Sequence, residues 1–149
     1  MTPTRVIGAR GLVEGRASGP ALVAREPVSF LGDVDIRTGE IVGELPSVKG
    51  RRMGGCVLVF PGSMGSAGAW RFLYQQFVHG THPVALVAVR LPDPSVVQGA
   101  MMAGIPVVCE PAEEIMNSID DGEILTVDGA AGTIAVGGGQ AALTRRDAR

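Results

Sequence analysis

The residues with the most chemical potential lie in one short loop. Gly62-Ser63-Met64-Gly65-Ser66-Ala67-Gly68 follows the apolar run Cys56-Val57-Leu58-Val59-Phe60, which Pro61-Gly62 ends. A continuous β-branched and aromatic run of that kind is the pattern of a strand buried on both faces. Beyond the loop, Trp70, Leu73, Tyr74 and Phe77 fall at i, i+3, i+4 and i+7, the spacing of a helix. A loop that leaves a buried parallel strand and enters a helix is where α/β proteins bind ligands. Its backbone N–H groups and the helix N-terminus favour an anion such as a carboxylate or phosphate. Gly62, Gly65 and Gly68 let the backbone approach a ligand closely, and Ser63 and Ser66 add hydroxyls. No Lys follows the last glycine, so this is not a Walker-type phosphate loop, and it is not a complete dinucleotide fingerprint. The same residues also suit an ordinary turn in which Ser66 is the helix N-cap.

The remaining catalytic inventory is thin: two His, two Cys, one Tyr and one Trp in 149 residues. A Gly-x-Ser-x-Gly nucleophile turn is matched only in part at Gly62-Ser63-Met64-Gly65, because the second glycine comes too early. His79 and His82 lie at the far end of the helix from the loop and are expected as exposed loop residues, which leaves a Ser–His–Asp triad without a base. Trp70 and Tyr74 are expected in the core. Asp33 and Asp35 precede Thr38-Gly39 and read as turn residues. Cys56 and Cys109 sit inside apolar runs and are expected as buried, reduced thiols. Two cysteines at that spacing cannot build a zinc or iron–sulfur site alone.

Composition bounds the class. Hydrophobic residues make up 46% and charged residues 19%, which excludes a chain disordered throughout its length. The 22 Gly and 10 Pro together are about a fifth of the chain, nearly twice the usual share. They argue against long helical bundles and for short strands joined by tight turns. The net charge of −2 leaves no basic stripe to neutralise phosphates, so no nucleic-acid partner is expected. Lys49 with Arg51-Arg52, and Arg145-Arg146 with Arg149, read as a solvated loop and a frayed terminus. No apolar run approaches about 18 residues, so no transmembrane helix is expected. Without an export signal, a cytoplasmic location is expected.

The elements that must position the loop follow from periodicity and punctuation. A hairpin is expected from strands near 6–15 and 20–25, broken by Gly8, Gly11, Gly15 and Gly19. Extended structure restarts at Ile41-Val42, and residues 43–54 read as a loop. After the strand at 56–60, a helix is expected from Ala69 to Val78 with Gly80 as its stop. A strand from Pro83 to Val89 follows, then a helix opened by Asp93-Pro94-Ser95 and stopped by Gly104. Strands at 105–109, 123–127 and 132–136, a helical turn near 111–117 and a turn at Asp128-Gly129 complete the pattern. The middle is a parallel βαβαβ unit with right-handed crossovers, and the flanking β-hairpins are expected to pack on one side. Residues 1–136 are expected as one domain and 137–149 as a disordered tail.

Three stretches resemble the small subunit of the aconitase X family, dehydratases of the aconitase superfamily. Residues Glu26 to Ile41 are similar to the family's EPLSFWGGVDPxTGxI run. Val57 to Ser66 is similar to its VLVFPxG(K/R)GS strand and loop, and Asp93 to Pro106 to EPIVxTGAIIAGIP. Order and spacing agree across roughly residues 8–136. The resemblance implies the swivelling β/β/α domain of the aconitase superfamily. It implies a large-subunit partner that carries an iron–sulfur cluster, with no cofactor bound by this chain, and a small carboxylate substrate. It places the proton-abstracting serine on Ser66. Gly62, Ser63, Met64, Gly65, Ala67 and Gly68 would contact substrate, and Asp35 and Thr38 are further candidates. Family activities are dehydration of 3-hydroxyproline in bacteria and of 5-phosphomevalonate in archaea.

Some positions depart from the family pattern. Met64 stands where the family has a basic residue, which argues against a phosphorylated substrate. A Gly-Ser pair shortly after the serine is Ala69-Trp70 here, and the usual His after the Asp-x-x-Thr-Gly-x-Ile segment is absent from Val42-Gly43-Glu44-Leu45-Pro46. Gly-, Ala- and Arg-rich usage points to a bacterial source and a hydroxyproline-type acid. Two other readings stay open from sequence. One is a non-catalytic binding or interaction module on a swivelling fold. The other is a self-sufficient hydrolase using Ser63 or Ser66.

Overall fold

The computed structural model describes residues 3–65 and 67–137. Within them the order is β1 (Pro3–Gly8), β2 (Arg10–Val13), β3 (Arg16–Val23), β4 (Val57–Phe60), α1 (Ala69–His79), β5 (Ala85–Ala88), α2 (Pro94–Ala103), β6 (Val107–Cys109), β7 (Ile124–Asp128) and β8 (Thr133–Gly137). The parallel βαβαβ unit stands as expected: β4 pairs in parallel with β5, and β5 with β6. On the other side of β4, β3 adds one more parallel strand. All four residues of β4 and of β5 are buried. The pleat divides them between two faces. Leu58, Phe60, Leu86 and Ala88 face the helices, while Val57, Val59, Ala85 and Val87 belong to a second apolar cluster. This two-sided burial is why the sequence shows unbroken apolar runs rather than alternation.

The N-terminal hairpin does not form. The strand order is β1-β8-β7-β3-β4-β5-β6-β2, so β1 and β2 lie at opposite edges of one eight-stranded sheet. There β1 pairs antiparallel with β8, and β2 antiparallel with β6. Only Ala9 separates the two strands, so the chain passes from one edge to the other within a residue. That is possible only if the sheet rolls until its edges approach. The flanking β structure therefore continues the same sheet instead of packing on one side of it. The rolled interior is the second apolar cluster, filled by residues such as Ile7, Val59, Val87, Leu125 and Ile134. Two buried hydroxyls on neighbouring strands, Ser18 and Thr126, satisfy each other at 2.7 Å.

Glycines close the seam. A side chain on Gly129 would overlap the Val13 carbonyl, and one on Gly11 would overlap the Gly129 carbonyl. The Ala9 N–H donates to the Gly132 carbonyl at 2.8 Å, and the Gly129 N–H to the Gly15 carbonyl at 2.8 Å. Of the glycines that read as hairpin punctuation, Gly11 and Gly19 thus mark close backbone contact, whereas a Cβ on Gly8 would meet nothing within 4 Å. The expected β7–β8 turn is present, and the Asp128 carboxylate accepts the N–H groups of Ala130 and Ala131.

On the outer face, α1 and α2 pack closely at Gly99, where a Cβ would lie 3.0 Å from Trp70 backbone atoms. That contact turns Ala69, Leu73 and Gln76 inward. Trp70 and Tyr74 are consequently half-buried and Phe77 is exposed, against the expectation that Trp70 and Tyr74 are core. Both helices end where expected, on left-handed Gly80 and Gly104. The connection 24–56 covers the rest of this face with Val28, Phe30, Ile41, Leu45 and Met53. Phe30 stands edge-on to Phe60 at 6.4 Å. Ile41 makes a single bridge to Val34 instead of restarting a strand. The helical turn expected near 111–117 is a turn at 115–119, which buries Ile115 and Ile119 in the rolled interior. Gly137 is the last residue of β8, and residues 138–149 of the expected tail lie outside the described residues.

Gly129→Ala should lower unfolding free energy by about 3 kcal/mol or more, because the clash is with backbone that cannot move aside. Gly32→Ala, which meets nothing within 4 Å, should change it by less than about 0.5 kcal/mol. Urea unfolding of the two variants checks this.

Candidate active site

The chain leaves β4 at Phe60 and turns at Pro61-Gly62 over the C-terminal edge of the parallel strands. Val28 and Ser63 form a short parallel bridge, with the Val28 N–H donating to the Gly62 carbonyl and the Met64 N–H to the Val28 carbonyl, both at 3.0 Å. The Ser63 hydroxyl donates to Asp93 Oδ2 at 3.1 Å and accepts the Asp93 N–H at 2.9 Å. The Ser95 hydroxyl donates to the Ala67 carbonyl and accepts the Trp70 N–H, each at 2.9 Å. Two serines thus clamp both ends of the loop to the start of α2. The N-cap of α1 is Gly68, not Ser66, and that of α2 is Asp93 with Pro94 following. Both helix N-termini meet the loop, and each brings partial positive charge.

Between the loop and α2 opens a cleft of about 420 Å³, lined by Gly65, Ala67, Asp93, Pro94, Ser95 and Gln98. A larger groove of about 490 Å³ runs along α1 beside Ile36, Trp70 and Tyr74. Of the loop residues, Gly62 is buried, Ser63 and Gly68 are half-buried, and Gly65 and Ala67 are exposed. The Met64 side chain is 57% exposed and brings no charge. Ser66 lies outside the described residues.

Asp35 and Thr38 belong to a separate turn. Asp35 Oδ1 accepts the Arg37 N–H at 2.9 Å, and the Thr38 hydroxyl accepts the Glu40 N–H at 3.1 Å. Thr81, just past the C-terminus of α1, donates to the Ile36 carbonyl at 2.6 Å. That anchors the turn at the end of α1 remote from the loop. Among the described residues no hydrogen bond joins Asp35 or Thr38 to residues 62–68. Asp33 Oδ2 accepts the Ser29 N–H at 2.8 Å, as its turn chemistry suggests.

Neither histidine can serve Ser63. His79 is exposed, with Nδ1 2.9 Å from the Gln75 carbonyl. His82 is half-buried rather than exposed and stands edge-on to Phe77 at 5.3 Å. Its Nδ1 is buried without a partner among the described residues. Burial holds its pKa below the ordinary 6.5. His79 ends α1 and His82 follows it, and the 11 residues of that helix span about 16 Å. The Ser63 hydroxyl is also engaged by Asp93, so the hydrolase reading through Ser63 lacks a base.

The cysteines lie at opposite ends of the parallel strands. Cys56 precedes β4 and is half-buried, with its thiol 3.7 Å from the Arg52 carbonyl; Cys109 ends β6 and is fully buried. Burial pushes both thiols up, so both are protonated at neutral pH. No three metal-binding side chains cluster among the described residues. The donors among the described residues therefore do not fit an iron–sulfur cluster. Lys49 pairs with Glu44, and Arg51 with Asp121, as a solvated loop should. Arg145, Arg146 and Arg149 lie outside the described residues. No helix among the described residues is long and apolar enough to cross a membrane.

Sequence reasoning read Asp93 and Ser95 only as a helix start. Their clamp on the loop needs α2 to lie beside α1, which no local pattern encodes.

A rolled mixed sheet, two helices on its outer face and a glycine–serine loop at their N-termini define a swivel domain. The aconitase X swivel domain model matches residues 6–136. The chain belongs to that family. It is 40% identical over 120 residues to the phosphomevalonate dehydratase small subunit of Methanocella arvoryzae, covering 80% of this chain and 90% of that one. The corresponding small subunit of Methanothermobacter thermautotrophicus is 35% identical over 128 residues, covering 86% and 97%. The crystal structure of Thermococcus kodakaraensis aconitase X in its holo-form superposes with a TM-score of 0.81 at 28% identity, over 89% of this chain and 98% of that one. A UPF0107 protein solved by solution NMR superposes at 0.82 with 31% identity, over 89% and 98%. The family resemblance and the α/β swivel fold read from sequence are borne out. The chain is the small-subunit component of a hydro-lyase of this family.

Ser63→Ala removes both bonds to Asp93 and should lower unfolding free energy by about 1–2 kcal/mol in urea titrations. His82 binds its proton less tightly folded than unfolded. Its contribution to stability is therefore full above pH 6.5 and declines as pH falls through that value toward the lower folded pKa. His82→Gln should remove that part of the pH dependence, as read from unfolding midpoints between pH 5 and 8.

Proposed function

We propose that this chain supplies the base-bearing half of a dehydratase active site, completed by a large subunit that holds the iron–sulfur cluster. The observation that carries the reading is the clamped loop at 62–68, set where two helix N-termini meet the end of β4. It is supported by the family membership and by relatives that are themselves small subunits. Bound in the large subunit, the cluster would supply a Lewis acid for the departing hydroxyl, since the donors among the described residues of this chain do not fit it.

Dehydration of a β-hydroxy acid takes a proton from the carbon next to the carboxylate. The electrons of that C–H bond form the double bond, and hydroxide leaves from the neighbouring carbon, to be protonated to water. We assign the base to Ser66. A serine hydroxyl is too weakly acidic to act unaided at neutral pH. Backbone N–H donors and the N-terminus of α1 would favour its alkoxide. The exposed Gly65 and the half-buried Gly68 keep that backbone open to a ligand, and Gly62, Ser63, Met64 and Ala67 complete the wall of the site. Asp35 and Thr38, bonded within their own turn, would act through the fit to the partner.

The relatives favour 5-phosphomevalonate as substrate, since those compared are named for it. The neutral, exposed Met64 favours the second reading, a smaller unphosphorylated acid such as 3-hydroxyproline. Both are β-hydroxy acids, so the chemistry assigned to the loop is the same.

Co-expression with an aconitase X large subunit should give a stable complex that dehydrates one of these two acids, followed by NMR of the product. Ser66→Ala should lower kcat by about 10²-fold or more while the complex still co-purifies. Full activity in that variant would remove the serine from its role.

A further inference from the structure

Arg90 lies at the loop without any use in the chemistry described so far. It follows β5 at the same edge of the sheet, and its N–H donates to the Pro61 carbonyl at 2.9 Å. Its guanidinium spreads over Gly62. A Cβ on Gly62 would come within 2.9 Å of Nη2 and 3.3 Å of both Cζ and Nε. The absent side chain at 62 is therefore what lets the guanidinium lie flat on the loop backbone. Ion pairs among the described residues engage Arg5, Arg10, Lys49 and Arg51, and none engages Arg90. The nearby carboxylate, Asp93, is bonded to Ser63. Arg90 is exposed, and its five fixed N–H donors suit the paired oxygens of a carboxylate or phosphate. Residues 62–65 bring no charge of their own. Arg71 is the other cation close in sequence, and it lines the groove along α1 instead.

From this geometry we infer that Arg90 is the substrate-binding cation of the 62–68 loop, seated on Gly62 and aimed at an anionic group of the hydroxy acid. The inference rests on the proposed dehydratase reading. It makes a doubly anionic, phosphorylated substrate compatible with a neutral Met64. The anion Arg90 holds is either the carboxylate shared by both candidate acids or the phosphate of one.

The test uses the two-subunit complex with 5-phosphomevalonate and with 3-hydroxyproline. Arg90→Gln should raise KM about 10- to 100-fold with kcat changed less than threefold, and Arg90→Lys should recover part of the loss. Gly62→Ala, which pushes the guanidinium off the loop without a backbone clash, should raise KM in the same direction. With the acid that is not turned over measured as a competitive inhibitor, weaker binding of both acids in Arg90→Gln assigns the carboxylate, and weakening confined to the phosphorylated acid assigns the phosphate. Unchanged KM in Arg90→Gln, or a loss in kcat alone, overturns the inference. If the wild-type complex dehydrates neither acid, the dehydratase reading fails, and titration of the full chain with inorganic phosphate decides Arg90 separately. Saturable amide shifts at Gly62–Gly65 that Arg90→Gln abolishes support it, and their absence overturns it.

Discussion

The structure depends on backbone meeting backbone at the seam of a rolled sheet. Ala9 alone separates strands at opposite edges, so the edges must come together there. Contact is close enough that Gly11 and Gly129 leave no room for a Cβ. Hydrogen bonds from Ala9 to Gly132 and from Gly129 to Gly15 hold it. Rolling also removes most of the open edge that an eight-stranded sheet would otherwise expose. It creates an interior filled mostly by small and β-branched residues, among them Ala21, Val57, Val59, Ala85 and Val108.

The rolled sheet fixes where chemistry can occur. With β3, β4, β5 and β6 parallel, their C-terminal ends form one rim, and the interior is packed solid. The cleft beside the 62–68 loop opens at that rim. There the chain from β4 turns across Gly62, the chain from β5 delivers Arg90, and α2 begins at Asp93. Ser63 and Ser95 tie these separate segments into one surface. The surface carries the cleft lined by Gly65, Ala67, Asp93, Pro94, Ser95 and Gln98.

Glycine content has two physical causes in this protein. At Gly80 and Gly104 it ends helices in the left-handed region, as their positions after apolar helical spacing indicate. At Gly11, Gly129 and Gly99 it permits close approach between segments distant in sequence. The two uses look alike in a sequence, which is why a hairpin is expected over residues 6–25 where two edge strands form. The same ambiguity affects α1. Trp70, Tyr74 and Phe77 keep helical spacing whichever face is buried, and the close contact at Gly99 selects the face of Ala69, Leu73 and Gln76.

The sequence alone determined the local elements: the buried runs at β4 and β5, both helices and their stops, the loop at 62–68 and the β7–β8 turn. Those depend on periodicity, turn residues and burial, which are properties of a few neighbouring residues. It also limited the candidate residues, since the chain holds only two histidines and two cysteines. Only the tertiary structure decided that the flanking strands belong to one rolled sheet, that Ser63 and Ser95 clamp the loop through α2, and that Arg90 lies on Gly62. Each of these joins residues far apart in the chain. Such contacts are set by the order of strands in the sheet, which follows from how the whole apolar interior closes and not from any single segment.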